Sequence, residues 1–80
     1  MAILSEKING KEILIEIDSS NLKSASYNTE DGTLVVTFKS GGSYEYYKVP
    51  WEAFTKLRLA ESQGRFFNLS IAKTYEFKKL

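Results

Sequence analysis

Apolar and polar residues alternate with a period of two through the first half of the chain, then shift to a helical spacing after the single proline. Ile13, Ile15 and Ile17 alternate with Glu12, Leu14 and Glu16, the pattern of a half-buried strand. Asn9-Gly10 separates that stretch from an apolar run over Ile3 to Ile8, and Asn-Gly supplies the positive φ angles of a type I′ turn, so an opening hairpin is expected. Asp18-Ser19-Ser20-Asn21 interrupts the alternation with four residues whose side chains bond nearby backbone in turns. A strand over Leu22 to Asn28 follows, with Ala25 and Tyr27 on one face, then a turn at Glu30-Asp31-Gly32. Thr33 to Lys39 is rich in β-branched residues and places Leu34, Val36 and Phe38 on one face.

Gly41-Gly42 poses a question of register. A two-residue loop puts Glu45 and Tyr47 on the face of Val36 and Phe38, whereas a three-residue loop puts Tyr44 and Tyr46 there. A slip of one residue exchanges every side chain between faces. Burying an unpartnered glutamate costs several kcal/mol, and burying two tyrosine rings stabilises. The expected loop is therefore Ser40 to Gly42, with one glycine in the left-handed region and a G1-type bulge. Tyr47 then points to the outer face beside Val35 and Thr37.

Pro50 suits the first turn of a helix. Trp51, Phe54, Leu57 and Ala60 recur along one face of that helix, with Arg58 and Glu61 expected on the other. Ser62 ends this helix or caps the next, and Gly64 relieves crowding at the corner. A second helix is expected over roughly Arg65 to Ala72, with Phe67 and Ile71 one turn apart in the core. Thr74 to Lys79 reads as a closing strand with Tyr75 and Phe77 inward. Strands first and helices later predict an α+β fold: a small antiparallel sheet of N-terminal hairpin, meander and C-terminal strand, packed against two short helices.

Eighty residues make one small domain. A chain this short buries only about 60–65% of the surface exposed when unfolded, so the five Phe, five Tyr and one Trp must carry much of the core. Cysteine and histidine are absent, which removes thiolate and imidazole nucleophiles, bases and zinc ligands. No activated carboxylate or lysine stands out, and Ser62 near Lys56 and Lys73 is expected to cap a helix rather than form a dyad. The expectation is a domain that does not catalyse and holds no cofactor. Metal is not expected either, because Glu30-Asp31-Gly32 lacks the later acid of a calcium loop. The early charge of Glu6 argues against a signal peptide, and no apolar run nears the about 20 residues of a membrane span. The expected setting is the cytoplasm, without membrane contact. Net charge is +1, but residues 1–40 carry four bases against six acids and residues 41–80 seven against four, which concentrates positive charge in the second half.

From Ser19 to Leu80 the chain resembles the KTSC domain, a small bacterial and phage family named for its place at the C-terminus of some lysyl-tRNA synthetases. The resemblance rests on Ser19-Ser20-Asn21, Tyr27, Leu34-x-Val36-x-Phe38, Gly41, Tyr44-x-Tyr46, Val49-Pro50, Ala60-x-Ser62-x-Gly64-x-Phe66-Phe67-Asn68, Ile71 and Tyr75, in that order. Residues 1–18 fall outside it and are expected to form a hairpin extension of the same domain, with residues 19–80 the KTSC-like part. The family pattern has a basic residue soon after the Ile71 position, whereas here Ala72 precedes Lys73. The resemblance implies a fold without a mechanism, and its link to synthetases implies an RNA-facing role.

Arg65 beside Phe66 and Phe67, with Asn68 following, offers a cation, aromatic surface and an amide together. Phosphates pair with such cations and bases stack on such rings. Backbone N–H groups around Gly64 add an expected anion contact. The expected function is a binding module for RNA or a phosphorylated small molecule such as a nucleotide. Arg65, Lys73 and Arg58 are its expected phosphate contacts, Asn68 the orienting amide, and Tyr47 and Ser62 the supports. The alternative is a protein-interaction or self-assembly module, with a protein partner or a second copy on the outer sheet face or the hairpin edge.

Overall fold

The computed structural model describes residues 2–19 and 21–80. Strands β1 (Ala2–Asn9), β2 (Glu12–Asp18), β3 (Leu22–Asn28), β4 (Leu34–Phe38) and β5 (Ser43–Tyr46) follow one another as a meander. Helix α1 (Trp51–Leu59) and helix α2 (Gln63–Phe66) come next, and α2 runs on into a π-helical segment over Phe67–Ile71. The chain then returns as β6 (Phe77–Lys79). The six strands lie in chain order with every pair antiparallel. This is the expected α+β architecture. The expected turn role of Ser20 lies outside the described residues.

Alternation along each strand gives the sheet one apolar face. Ile8, Ile13, Tyr27, Leu34, Tyr46 and Phe77 stand opposite one another across all six strands. Glu6, Ile15, Ala25, Val36, Tyr44 and Lys79 form the next row. Phe54, Leu57, Phe67 and Ile71 of the helical layer join the inner-face residues in one buried core. Tyr27 stacks on Phe54 with centroids 4.4 Å apart, and Phe67 meets Phe38 and Tyr46 edge-on. Each fully buried side chain of this size contributes about 1.5–3 kcal/mol, and rings that also stack add to that.

The facing of the two tyrosines is as expected, although their pairing partners are shifted by two residues. Tyr46 is buried and Tyr44 half-buried on the face of Val36, while Glu45 points outward. The loop itself sits one residue earlier than expected, over Lys39 to Gly41. Gly42 pairs with Phe38 through the Phe38 N–H (2.9 Å), Gly41 donates to the Phe38 carbonyl (3.0 Å), and Gly41 takes φ +103°. That is the G1-bulge geometry with Gly41 in its left-handed position. The first hairpin also differs: Asn9 pairs with Glu12, so Gly10-Lys11 is the loop and only Gly10 has positive φ. A glycine at the first central position is the type II′ arrangement rather than type I′.

Several boundaries depart from the sequence expectation. Pro50 is extended and caps α1 from outside, its carbonyl accepting from Ala53 and Phe54. Trp51, at the open end of α1, is half in solvent, although its ring lies 6.0 Å from those of Tyr27 and Phe54. The second helix begins at Gln63, two residues early, because Ser62 caps it. β6 covers only the last part of the expected closing strand. Tyr75 precedes it, half-buried, and Phe77 lies against Tyr44 and Tyr46 with one side exposed.

Candidate functional site

The corner between α1 and α2 approaches the β2–β3 turn so closely that it has no room for a side chain at residue 64. A Cβ on Gly64 would stand 2.3 Å from Asn21 Oδ1 and 2.9 Å from Ser19 Oγ. Those two atoms are themselves joined: buried Ser19 donates through Oγ to Asn21 Oδ1 at 3.0 Å and accepts from the Leu22 N–H at 3.4 Å. Ser62 Oγ accepts from the Arg65 N–H at 3.3 Å, so the serine caps the second helix. Asn21 and Ser19 lie over the Cα of Gly64, which also lines the cleft described next. Gln63 has a role that sequence reasoning missed: fully buried, it donates through Nε2 to the carbonyls of Ala60 (3.0 Å) and Arg58 (3.4 Å). It thereby closes the C-terminal end of α1.

Beside this corner lies a cleft of about 540 Å³ lined by Asn21, Ser62, Gly64, Arg65, Asn68 and Leu69. A second hollow of about 290 Å³ shares Ser62, Arg65 and Leu69 and adds the apolar surfaces of Ala60 and Phe66, with Glu61 at its rim. Three of the six expected ligand residues, Ser62, Arg65 and Asn68, therefore converge, and Asn21 joins them from 41 or more residues away in sequence. Both Arg65 and Asn68 are exposed. Among the described residues no carboxylate comes within ion-pairing reach of the Arg65 guanidinium.

The other three stand elsewhere. Arg58 is not on the side of α1 away from Trp51, Phe54 and Leu57, where it was expected. Its guanidinium lies 5.1 Å over both the Trp51 and Phe54 rings and donates to Glu6 Oε1 at 2.7 Å, pinning α1 to the edge strand. Stacking and pairing of this kind occupy a cation structurally. Lys73 is exposed past the π-helical segment and does not line the cleft. Tyr47 lies on the outer face, where its hydroxyl donates to Glu45 Oε1 at 2.7 Å. That bond, with some burial, pushes the phenol pKa above its ordinary value.

A third hollow, of about 580 Å³, opens where Leu4 bulges from β1 on the outer side of the sheet. Exposed Leu4 and half-exposed Leu14 give it an apolar floor. Lys7, Lys23 and Lys39 face Glu16 and Asp18 around it, so its charge is nearly balanced. Leu14 was expected to look outward, but the bulge that forms the hollow carries no clear signal in sequence. Among the described residues no group of three acidic side chains gathers as a metal site. Among the described residues no helix is long and apolar enough to cross a membrane.

Comparison with known proteins agrees with this architecture. Residues 18–75 match the KTSC domain model. A protein of Tsukamurella paurometabola is 42% identical over 52 residues, which are 65% of this chain and 78% of that one. A lysine–tRNA ligase of Nostoc punctiforme is 37% identical over 67 residues, covering 84% of this chain but only 12% of the ligase. The chain thus corresponds to a small segment of those ligases. The crystal structure of a KTSC domain protein from Yersinia pestis superposes with a TM-score of 0.81 at 29% identity, covering 86% of this chain and 97% of that one. The residues that line the cleft, Asn21, Ser62, Gly64, Arg65, Asn68 and Leu69, all lie within the matched span. The chain belongs to the KTSC domain family.

Proposed function

We propose that the Asn21–Ser62–Arg65–Asn68 cleft binds a phosphate-bearing ligand, RNA before a nucleotide or other phosphorylated small molecule, and that the domain binds without catalysing. The observation that carries this reading is Arg65. Arg65 is exposed and lines both hollows, the larger of them together with Asn21 and Asn68, whereas Arg58 is spent on Glu6 and two rings. A free cation beside carboxamides is the donor set that phosphodiesters and base edges use. The cleft volume falls within the about 300–1,000 Å³ of small-ligand pockets. Lysine–tRNA ligases, whose name states a tRNA substrate, carry a matching segment, and this favours RNA and a cytoplasmic setting. Lys73 is assigned to a longer strand leaving the cleft, and the reading uses neither Arg58 nor Tyr47.

Calorimetric titration at low salt with RNA oligomers and with AMP tests it. Binding is expected to weaken steeply as salt rises, because released counterions drive phosphate contacts. Arg65→Ala is expected to weaken binding about tenfold or more while leaving Tm unchanged. Absence of heat with every probe, or an Arg65→Ala variant that binds like the parent, ends the proposal.

The outer-face hollow favours a second reading, in which Leu4 and Leu14 dock a protein partner or a second copy. An apolar floor with balanced charge suits a protein surface better than a polyanion. Sedimentation at rising concentration is then expected to show a dimer that Leu14→Glu dissolves. A monomer throughout, with no partner for that face, removes this reading.

A further inference from the structure

We infer that the site takes single-stranded RNA as a two-nucleotide step, with the linking phosphodiester at Arg65 and one base in each adjoining hollow. The inference rests on the phosphate reading above and adds the form of the ligand. Arg65 belongs to the lining of both hollows, as do Ser62 and Leu69, and is the one cationic residue common to the two compartments. A phosphodiester is likewise a charge between two bases.

The compartments differ in the way two such bases need. One presents the carboxamides of Asn21 and Asn68, which pair with the hydrogen-bonding edge of an unstacked base. The other presents Phe66, Leu69 and Ala60, a surface on which a base face stacks. Glu61 at the rim of the second hollow repels a phosphate there and accepts from a base amino group. Charge therefore sorts the parts of the ligand: phosphate at Arg65, base beyond it. A base enters either hollow only when it is unstacked and unpaired, which a duplex does not allow.

Titrations with AMP, with the dinucleotide adenylyl-(3′,5′)-adenosine and with a blunt-ended RNA duplex test this. AMP, having one base, fills the apolar hollow. The dinucleotide is expected to bind about tenfold tighter although its single phosphodiester carries less charge than the AMP phosphate. Asn68→Ala is expected to weaken the dinucleotide several-fold more than it weakens AMP. Leu69→Ser is expected to weaken both probes equally and, because Leu69 is 61% exposed, to leave Tm in place. The duplex is expected to bind more weakly than the dinucleotide. Equal binding of AMP and dinucleotide, or equal weakening of both by Asn68→Ala, overturns the two-nucleotide step while leaving the phosphate reading standing. No binding by any probe overturns both.

Discussion

The helical layer is clamped to the sheet at two ends, each by a glycine with no space for a side chain, and the two clamps are made of different material. At one end Gly32, in the β3–β4 turn, has φ +76°, and a Cβ there would lie 2.8 Å from the Val49 carbonyl. Val49 donates its N–H to the Gly32 carbonyl at 2.9 Å, and the buried Tyr27 hydroxyl donates to the Val49 carbonyl at 2.6 Å. Lys48 just before it holds the left-handed conformation, with φ 55°. At the other end the atoms over Gly64 are side-chain atoms, Asn21 Oδ1 and Ser19 Oγ. Backbone clamped to backbone leaves no functional group at the surface. A clamp of side chains leaves an amide on a cleft wall, so Asn21 serves the fold and the candidate site together.

The comparison predicts that Gly32→Ala is the more damaging change for stability. The positive φ alone costs an L-residue about 1–2 kcal/mol, and contact with a hydrogen-bonded carbonyl cannot be relieved without moving β3, β5 or α1. The expected loss is about 3 kcal/mol or more, read from the urea midpoint. Ligand binding per folded molecule is expected to be unchanged. A smaller loss than that of Gly64→Ala would show that the backbone clamp is the softer of the two.

Gly64→Ala comes next, at about 1–2 kcal/mol, because a side-chain amide can swing away. Its displacement breaks the Ser19–Asn21 hydrogen bond and moves Asn21 out of the cleft wall, so binding of the RNA dinucleotide is expected to fall with stability. In a double-mutant cycle, Asn21→Ala should absorb part of the Gly64→Ala cost, since the crowded atom has gone. Purely additive losses would mean that the crowding seen at Gly64 is relieved elsewhere.

The unequal legibility of the chain follows from the same contrast. Strand faces could be read because alternation is local and Glu45 excludes the wrong register. The position of the three-residue loop could not, since Gly41-Gly42 permits a glycine at its left-handed site in either of two frames. Arg58 misled because its neighbour Leu57 is buried, yet it stands four residues after Phe54 and seven after Trp51, the spacing that places it over both rings. Gln63 and Asn21 were missed for a different reason: both are polar residues beside turns, and local propensity already accounts for them there. Their partners become visible only when distant segments meet. Arg65 and Asn68 could be found because the aromatic and cationic residues around them lie next to one another in sequence.

The smallest effect tests the clamp that lacks a site. Tyr27→Phe removes the hydroxyl from the Val49 carbonyl and keeps the ring on Phe54, so a loss of about 1 kcal/mol is expected near neutral pH with no change in ligand affinity. Its pH dependence has a definite sign. Burial, and secondarily the charge of Asp31, push the Tyr27 phenol above its ordinary value. An unfolded tyrosine titrates near about 10, so the contribution of the neutral hydroxyl is fully present below that pH. Above it the unfolded chain ionises first, and the contribution is lost as pH rises toward the folded pKa. Phenylalanine has nothing to titrate, and Tyr46, whose pKa is also raised by burial, is common to both proteins and cancels. The stability gap between parent and Tyr27→Phe should therefore be constant up to about pH 9 and narrow toward pH 11 or so. A gap that stays level across that range would place the Tyr27 hydroxyl in contact with water and leave the Gly32–Val49 hydrogen bond as the whole of that clamp.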